Sequence, residues 1–118
     1  MAAMTIIEAV RATLDEAMGE DERVFIMGED VEAGGVFRAT DGLRAKYPGR
    51  VIDTPLAESS IVGLAIGAAH YGMRPVAEIQ FADFIHAGFD QLCSEASRWC
   101  YRTRGGAYLP MVVRTPWG

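Results

Sequence analysis

The stretch Arg50–Gly72, RVIDTPLAESSIVGLAIGAAHYG, decides the fold. Its first part is a short β-branched segment that stops at Pro55, which reads as a buried strand and a turn. Its second part, over residues 59–71, is apolar nearly all round and ends at Gly72, which reads as a buried helix with a glycine cap. Gly63, Ala65, Gly67, Ala68 and Ala69 make that helix narrow, so it can pack closely on a sheet or on another helix. A strand leading into a buried helix is the unit from which parallel sheets are assembled. One carboxylate, Glu58, stands at the join, an ionisable group where a strand meets an apolar helix.

The same alternation extends in both directions. Upstream, Thr5 followed by Glu8 makes a capping box, and Ile6, Val10, Leu14 and Met18 recur at four-residue steps, which predicts a helix over 5–19. RVFIMGEDV reads as a buried strand and a loop, and EAGGVFRAT as a loop. A short helix is expected from a cap at Thr40 to just before Pro48-Gly49. Downstream, RPVAEIQF is a third strand and LPMVVRTPWG a fourth. Between them HAGFDQLCSEASRWCYRT is amphipathic, with Phe89, Leu92, Cys93, Ala96, Trp99 and Cys100 on one face. Helix and strand alternating four times predicts an α/β fold, a largely parallel sheet flanked by helices. The chain stops directly after a strand, so the sequence reads as the first part of a larger domain, incomplete at its C-terminus.

The 118 residues suit one modest domain, and half of them are hydrophobic. The net charge of −5 argues against a nucleic-acid or anionic-membrane surface. No apolar run approaches the roughly 20 residues of a membrane span, and no secretion signal is read at the start, so a cytoplasmic location is expected. Cys93 and Cys100 lie about 10 Å apart along a helix axis, beyond the roughly 7 Å reach of a disulfide. They read as buried thiols in a reducing compartment.

In parallel α/β sheets ligands bind at the carboxyl ends of strands and at helix N-termini. GED after the first strand, DTPLAES after the second and QFADF after the third would line one rim. Glu58 is the sharpest candidate. It reads either as a first-turn acid facing water or as a functional carboxyl desolvated by Leu56, Ala57, Ile61 and Val62. Gln80 and Phe84 flank the end of the third strand. Glu29 and Asp30 are read as solvated loop acids, His70 as a packed core or interface histidine, and His86 as a histidine near Phe84 without a partner at catalytic spacing. No phosphate-binding glycine motif is present.

MTIIEAVRATLDEAM, VFIMGEDVEAGGVFRATDGL, RVIDTPLAESSIVGLAIGAA, AEIQFADFIHAGFDQLCSEASR and VVRTPWG, in that order, resemble the beta subunit of the thiamin diphosphate-dependent 2-oxoacid dehydrogenase decarboxylase component. That family includes pyruvate and branched-chain 2-oxoacid dehydrogenases. The resemblance runs from about Met4 to the end of the chain. It implies that residues 1–118 are the N-terminal part of a transketolase-like pyrimidine-binding domain, with the C-terminal domain absent. It also implies a catalytic role for Glu58, because the glutamate of the family's PLAE or PLCE motif contacts N1′ of the cofactor's aminopyrimidine and shares a proton with it. Leu56 and Phe84 would pack on that ring, and Gln80 would stand near the cofactor and substrate pocket. Position 86 is usually aromatic or aliphatic in the family, so His86 is a departure.

The resemblance implies partners as well. The diphosphate and Mg²⁺ would be held mainly by an alpha subunit, with the cofactor between chains. A second beta subunit and a lipoyl transacylase component would complete the assembly. A histidine-bearing loop expected beyond RTPWG is outside this sequence. AEIQFADF and FDQLCSEASR lean toward branched-chain members, with pyruvate next. The alternative is a non-catalytic interaction fragment that only pairs with another chain.

Overall fold

The computed structural model describes residues 3–117. Four strands, β1 (Val24–Gly28), β2 (Val51–Asp53), β3 (Arg74–Glu78) and β4 (Val112–Arg114), form one sheet in the order β2-β1-β3-β4. Every pairing is parallel, with Ile26 beside Val51 and Val76, and Val76 beside Val112. Helices α1 (Ile6–Glu20), α2 (Leu43–Lys46), α3 (Glu58–His70) and α4 (Trp99–Arg102) flank the strands in sequence.

The period-two alternation of the strands sorts side chains into two cores. Val24 and Ile26 of β1 and Val76 of β3 join Leu14 and Met18 of α1, with Val31, Leu43 and Val51. Met27 of β1 and Ala77 of β3 turn to the other face and meet Ile61, Val62, Ala65 and Ile66 of α3. The sheet is therefore covered on both faces, as a parallel sheet requires. The expected residues secure the start of α1 and the end of α3. The Thr5–Glu8 capping box opens α1. At the end of α3, Met73 N donates to Ala68 O and Gly72 N to Ala69 O, a Schellman closure that puts Gly72 at φ 102°.

Several expectations need correction. Thr40 is not a helix cap. Its hydroxyl is buried and donates to Val31 O at 2.7 Å, and α2 begins later, after Gly42 at φ 79°. The amphipathic helix expected after β3 is broken into a 3₁₀ segment (Ala82–Gly88), a π turn (Gln91–Glu95), a second 3₁₀ turn (Ala96–Arg98) and the short α4. Ser94 donates to the Asp90 carboxylate at 2.7 Å and Ser97 to Cys93 O at 2.6 Å, so side chains compete with the regular ladder there. Leu92 and Ala96 still reach the core, but Phe89 is exposed. The two cysteines are free, but they are not buried: Cys93 is exposed and Cys100 half-buried. The fourth strand is short, confined to Val112–Arg114 within the longer segment expected.

Candidate functional site

The segments after β1, β2 and β3 meet at the carboxyl edge of the sheet, and the close approach of β1 to β3 sets their spacing. A Cβ on Gly28 would stand 2.6 Å from Glu78 O, so only glycine ends β1 here. Thr54 N donates to Gly28 O at 2.9 Å, tying the turn after β2 to the same point. Glu32 N donates to Asp53 Oδ1 at 2.7 Å and Asp53 N to Glu32 Oε1 at 3.3 Å, and Arg44 pairs with Glu32. These bonds fix the approach to Glu58, the first residue of α3.

Glu58 is half-buried and follows Ala57, which has no side chain able to cap the helix. Its charge is felt by Glu29, which is the unexpected member of the site. Glu29 is 6% exposed, and its Oε1 is buried with no hydrogen-bond partner. Burial pushes its carboxyl up, and the charges of Glu58 and Asp30 push in the same direction. The reading of Glu29 as a solvated loop acid is thus wrong. Its position right after a buried strand and a crowded glycine is the signal that could have found it. Asp30 is exposed, as expected, and takes a left-handed conformation, φ 55° and ψ 15°. Its carboxylate accepts from Gln80 Nε2 at 3.1 Å, joining the first and third loops. Asp53, also pushed up, owes this mainly to burial and then to Asp30.

Leu56 is 78% exposed and Phe84 47% exposed, an unusual state for side chains of this kind at a sheet edge. Phe84 meets Phe81 edge-on with ring centroids 5.8 Å apart, and Phe81 meets Phe37 at 5.7 Å. This aromatic row continues into a cleft of about 760 Å³ lined by Ile6, Ile7, Val10, Phe37, Phe81 and Trp117, among others. Below the row the Glu78 and Arg114 side chains pair at 2.5 Å across β3 and β4, in contact but not aligned as a hydrogen bond.

His86 is exposed near this rim. His70 is not in the core, the first of its two expected places: it is exposed and lies edge-on to Trp99 at 4.6 Å. Among the described residues no group of three or more His, Cys, Asp or Glu side chains is placed to hold a metal ion. No described helix is long and apolar enough to cross a membrane.

The arrangement is a carboxyl at a helix start beside a second, desolvated carboxyl, with exposed apolar side chains and an amide around them. Carboxyl groups can accept or release a proton, and exposed apolar side chains such as Leu56 and Phe84 offer apolar contact surface. Comparison with known proteins agrees with the fold. The family model "Transketolase, pyrimidine binding domain" matches residues 2–118. The chain is 52% identical to the 2-oxoisovalerate dehydrogenase subunit beta of Bacillus subtilis, over 100% of this chain and 37% of that protein. It is 50% identical to the protein of the same description from Pseudomonas aeruginosa, over 98% of this chain and 33% of that protein. It is 49% identical to the pyruvate dehydrogenase E1 component subunit beta of Acholeplasma laidlawii, over 100% of this chain and 37% of that protein. The chain thus spans about a third of the length of these relatives.

Proposed function

Because the chain belongs to the transketolase pyrimidine-binding domain family, we propose that it is the N-terminal part of the pyrimidine-binding domain in the beta subunit of a 2-oxoacid dehydrogenase, with a C-terminal transketolase-type domain outside it. The protein oxidatively decarboxylates a 2-oxoacid, with branched-chain substrates favoured and pyruvate next, and passes the acyl group to a lipoyl domain. An alpha subunit, a second beta subunit and a lipoyl transacylase component are its partners. The alpha subunit holds most of the diphosphate and Mg²⁺.

The observation that supports this reading is the place of Glu58 as the first residue of α3, on the sheet edge where Glu29 is buried with Oε1 unpartnered. Thiamin diphosphate fits these residues, since an orphaned buried carboxyl, a helix-start carboxyl and exposed apolar side chains suit an aminopyrimidine. When bound, it supplies the nucleophilic carbon and the electron sink for decarboxylation. Glu58 would hold the ring at N1′ by sharing a proton with it. Glu29, buried with Oε1 unpartnered, is a second carboxyl of the same rim whose pKa burial pushes up. Leu56 and Phe84 would pack on the aminopyrimidine and exclude water, and Gln80 would offer a polar contact at the rim.

The test is decarboxylation of 3-methyl-2-oxobutanoate and of pyruvate by the protein that carries this chain, assembled with its partner subunit. The expected result is turnover that needs thiamin diphosphate and Mg²⁺, with higher kcat/KM for the branched substrate. A protein that binds a partner chain but neither binds the cofactor nor turns over would be the interaction module instead.

A further inference from the structure

We infer that the face carrying Arg98, Arg102 and Arg104 is a docking surface for an acidic segment of a partner protein. The inference makes no use of the thiamin diphosphate reading and can fail without touching it. All 16 acidic residues of the chain lie before Ala96, and from Ala96 to Gly118 the only charged side chains are Arg98, Arg102, Arg104 and Arg114. Arg114 is turned inward, paired with Glu78 between β3 and β4. The other three are exposed, in a chain whose net charge is −5. Arg98 and Arg102 stand four residues apart, one turn along α4, so they share a side of it. Arg102 is tied to Glu95 at 2.7 Å in a solvent-exposed contact. Among the described residues neither Arg98 nor Arg104 meets a carboxylate.

The way Arg104 is presented points to a use outside the chain. α4 ends in a Schellman closure: Arg104 N donates to Tyr101 O at 3.0 Å and Gly105 N to Cys100 O at 2.8 Å. The left-handed position of that closure is usually glycine, as Gly72 is after α3, but here Arg104 fills it at φ 53°. The turn is held from within by Thr103, whose hydroxyl donates to Trp99 O at 3.0 Å and accepts from Ala107 N at 3.1 Å. A long cation is thus fixed on a well-bonded turn, in a conformation that glycine would adopt without strain. Strain kept at an exposed position, with no ion pair among the described residues to offset it, marks a site of contact. Tyr101, 86% exposed, and Tyr108, 72% exposed, flank Arg104 in sequence. Arginine and tyrosine are residue types that protein interfaces favour. Three cations, offset in part by Glu95, suit a few carboxylates. A nucleic acid or an anionic bilayer brings a denser negative field, which the rest of this acidic chain repels.

The test is fluorescence anisotropy of a labelled oligoglutamate peptide added to the whole protein that carries this chain, with oligouridylate RNA and phosphatidylserine vesicles as competitors. The expected result is binding that weakens as salt is added. Arg104→Gly should weaken it by about 2- to 5-fold, the worth of an exposed ion pair, with Tm unchanged or raised because glycine relieves the left-handed turn. Arg98→Gln lies outside that turn, should weaken binding by a similar factor, and gives the reading if Arg104→Gly does not fold. The two substitutions together should weaken it by about 10-fold. Affinity that these variants leave unchanged overturns the inference, and so does a wild type that does not bind oligoglutamate. Displacement by RNA or by vesicles at lower concentration than by unlabelled oligoglutamate overturns it too, in favour of a polyanion or a membrane.

Discussion

The two long connections on the α3 side of the sheet differ in kind. Between β2 and β3 the chain forms one unbroken helix, α3, with Ile61, Val62, Ala65, Ile66 and Ala69 buried. Between β3 and β4 it forms a series of 3₁₀, π and α turns in which Gly88 is the one buried residue of the Ala82–Arg102 elements. The contrast is one of order of packing. α3 lies directly on the sheet, and its regularity is enforced by a close-packed face. The later segment lies on α3 itself: a Cβ at Gly88 would come within 2.9 Å of Val62, and one at Gly63 within 3.3 Å of the Gln91 amide. Its backbone is shaped by that helix and by its own serines. In the proposed function, the carboxyl that exchanges a proton is thus on the rigid connection, and the adaptable aromatic and polar rim is on the irregular one.

The largest expected effect tests that ranking. Ile61→Ala should cost about 2–4 kcal/mol in chemical denaturation, while Leu92→Ala, half-buried over α3, should cost about 1 kcal/mol. Equal costs would mean that the irregular connection is as much a part of the core as α3. A smaller effect separates the two sides of α3. Gly63→Leu crowds the Gln91 amide and should lower Tm, whereas a Cβ at Gly67 meets nothing within 4 Å, so Gly67→Leu should raise stability by about 0.5–1 kcal/mol through helix propensity. If Gly67→Leu then changes the oligomeric mass, that open stripe faces another subunit; an unchanged mass leaves it to solvent.

The smallest effect is the pH dependence that the two carboxyl environments impose. Glu29 has a folded pKa raised by burial and then by Glu58. Its contribution is fully present below the unfolded value near pH 4.3 and is lost as pH rises through the raised folded value. Glu29→Gln should therefore raise stability at pH 7 relative to pH 4. Asp21, at the far end of α1, does the reverse: the Arg23 side chain and backbone hold it at about 2, so its contribution is present above about pH 3.9 and is lost as pH falls toward 2. Asp21→Asn should flatten only the acid limb of an unfolding–pH profile, and Glu29→Gln only the limb above about pH 4. Exchange of those two limbs between the variants would refute the assignment.

These residues also mark how far the sequence alone reaches. The α/β alternation, the Thr5–Glu8 cap, the Gly72 closure and the prominence of Glu58 depend on local pattern, and local pattern is what a single sequence displays. Glu29 escapes a reading by residue type because a loop acid is ordinarily solvated, whereas the fold around the end of β1 leaves this one 6% exposed. The broken helix after β3 escapes it because the apolar spacing is helical, while the surface it must fit, α3, is not visible in that spacing. Thr40 resembles a cap because nothing local shows that its hydroxyl reaches back to Val31.

The most direct measurement of the central claim is the exchange of the C2 proton of bound thiamin diphosphate for deuterium, followed by NMR in the assembled protein with Glu58 intact and with Glu58→Gln. A proton shared between Glu58 and N1′ predicts exchange slower by at least about 100-fold in the variant, with cofactor Kd changed far less. Exchange at the wild-type rate in Glu58→Gln would contradict it and would move the proton chemistry to another residue.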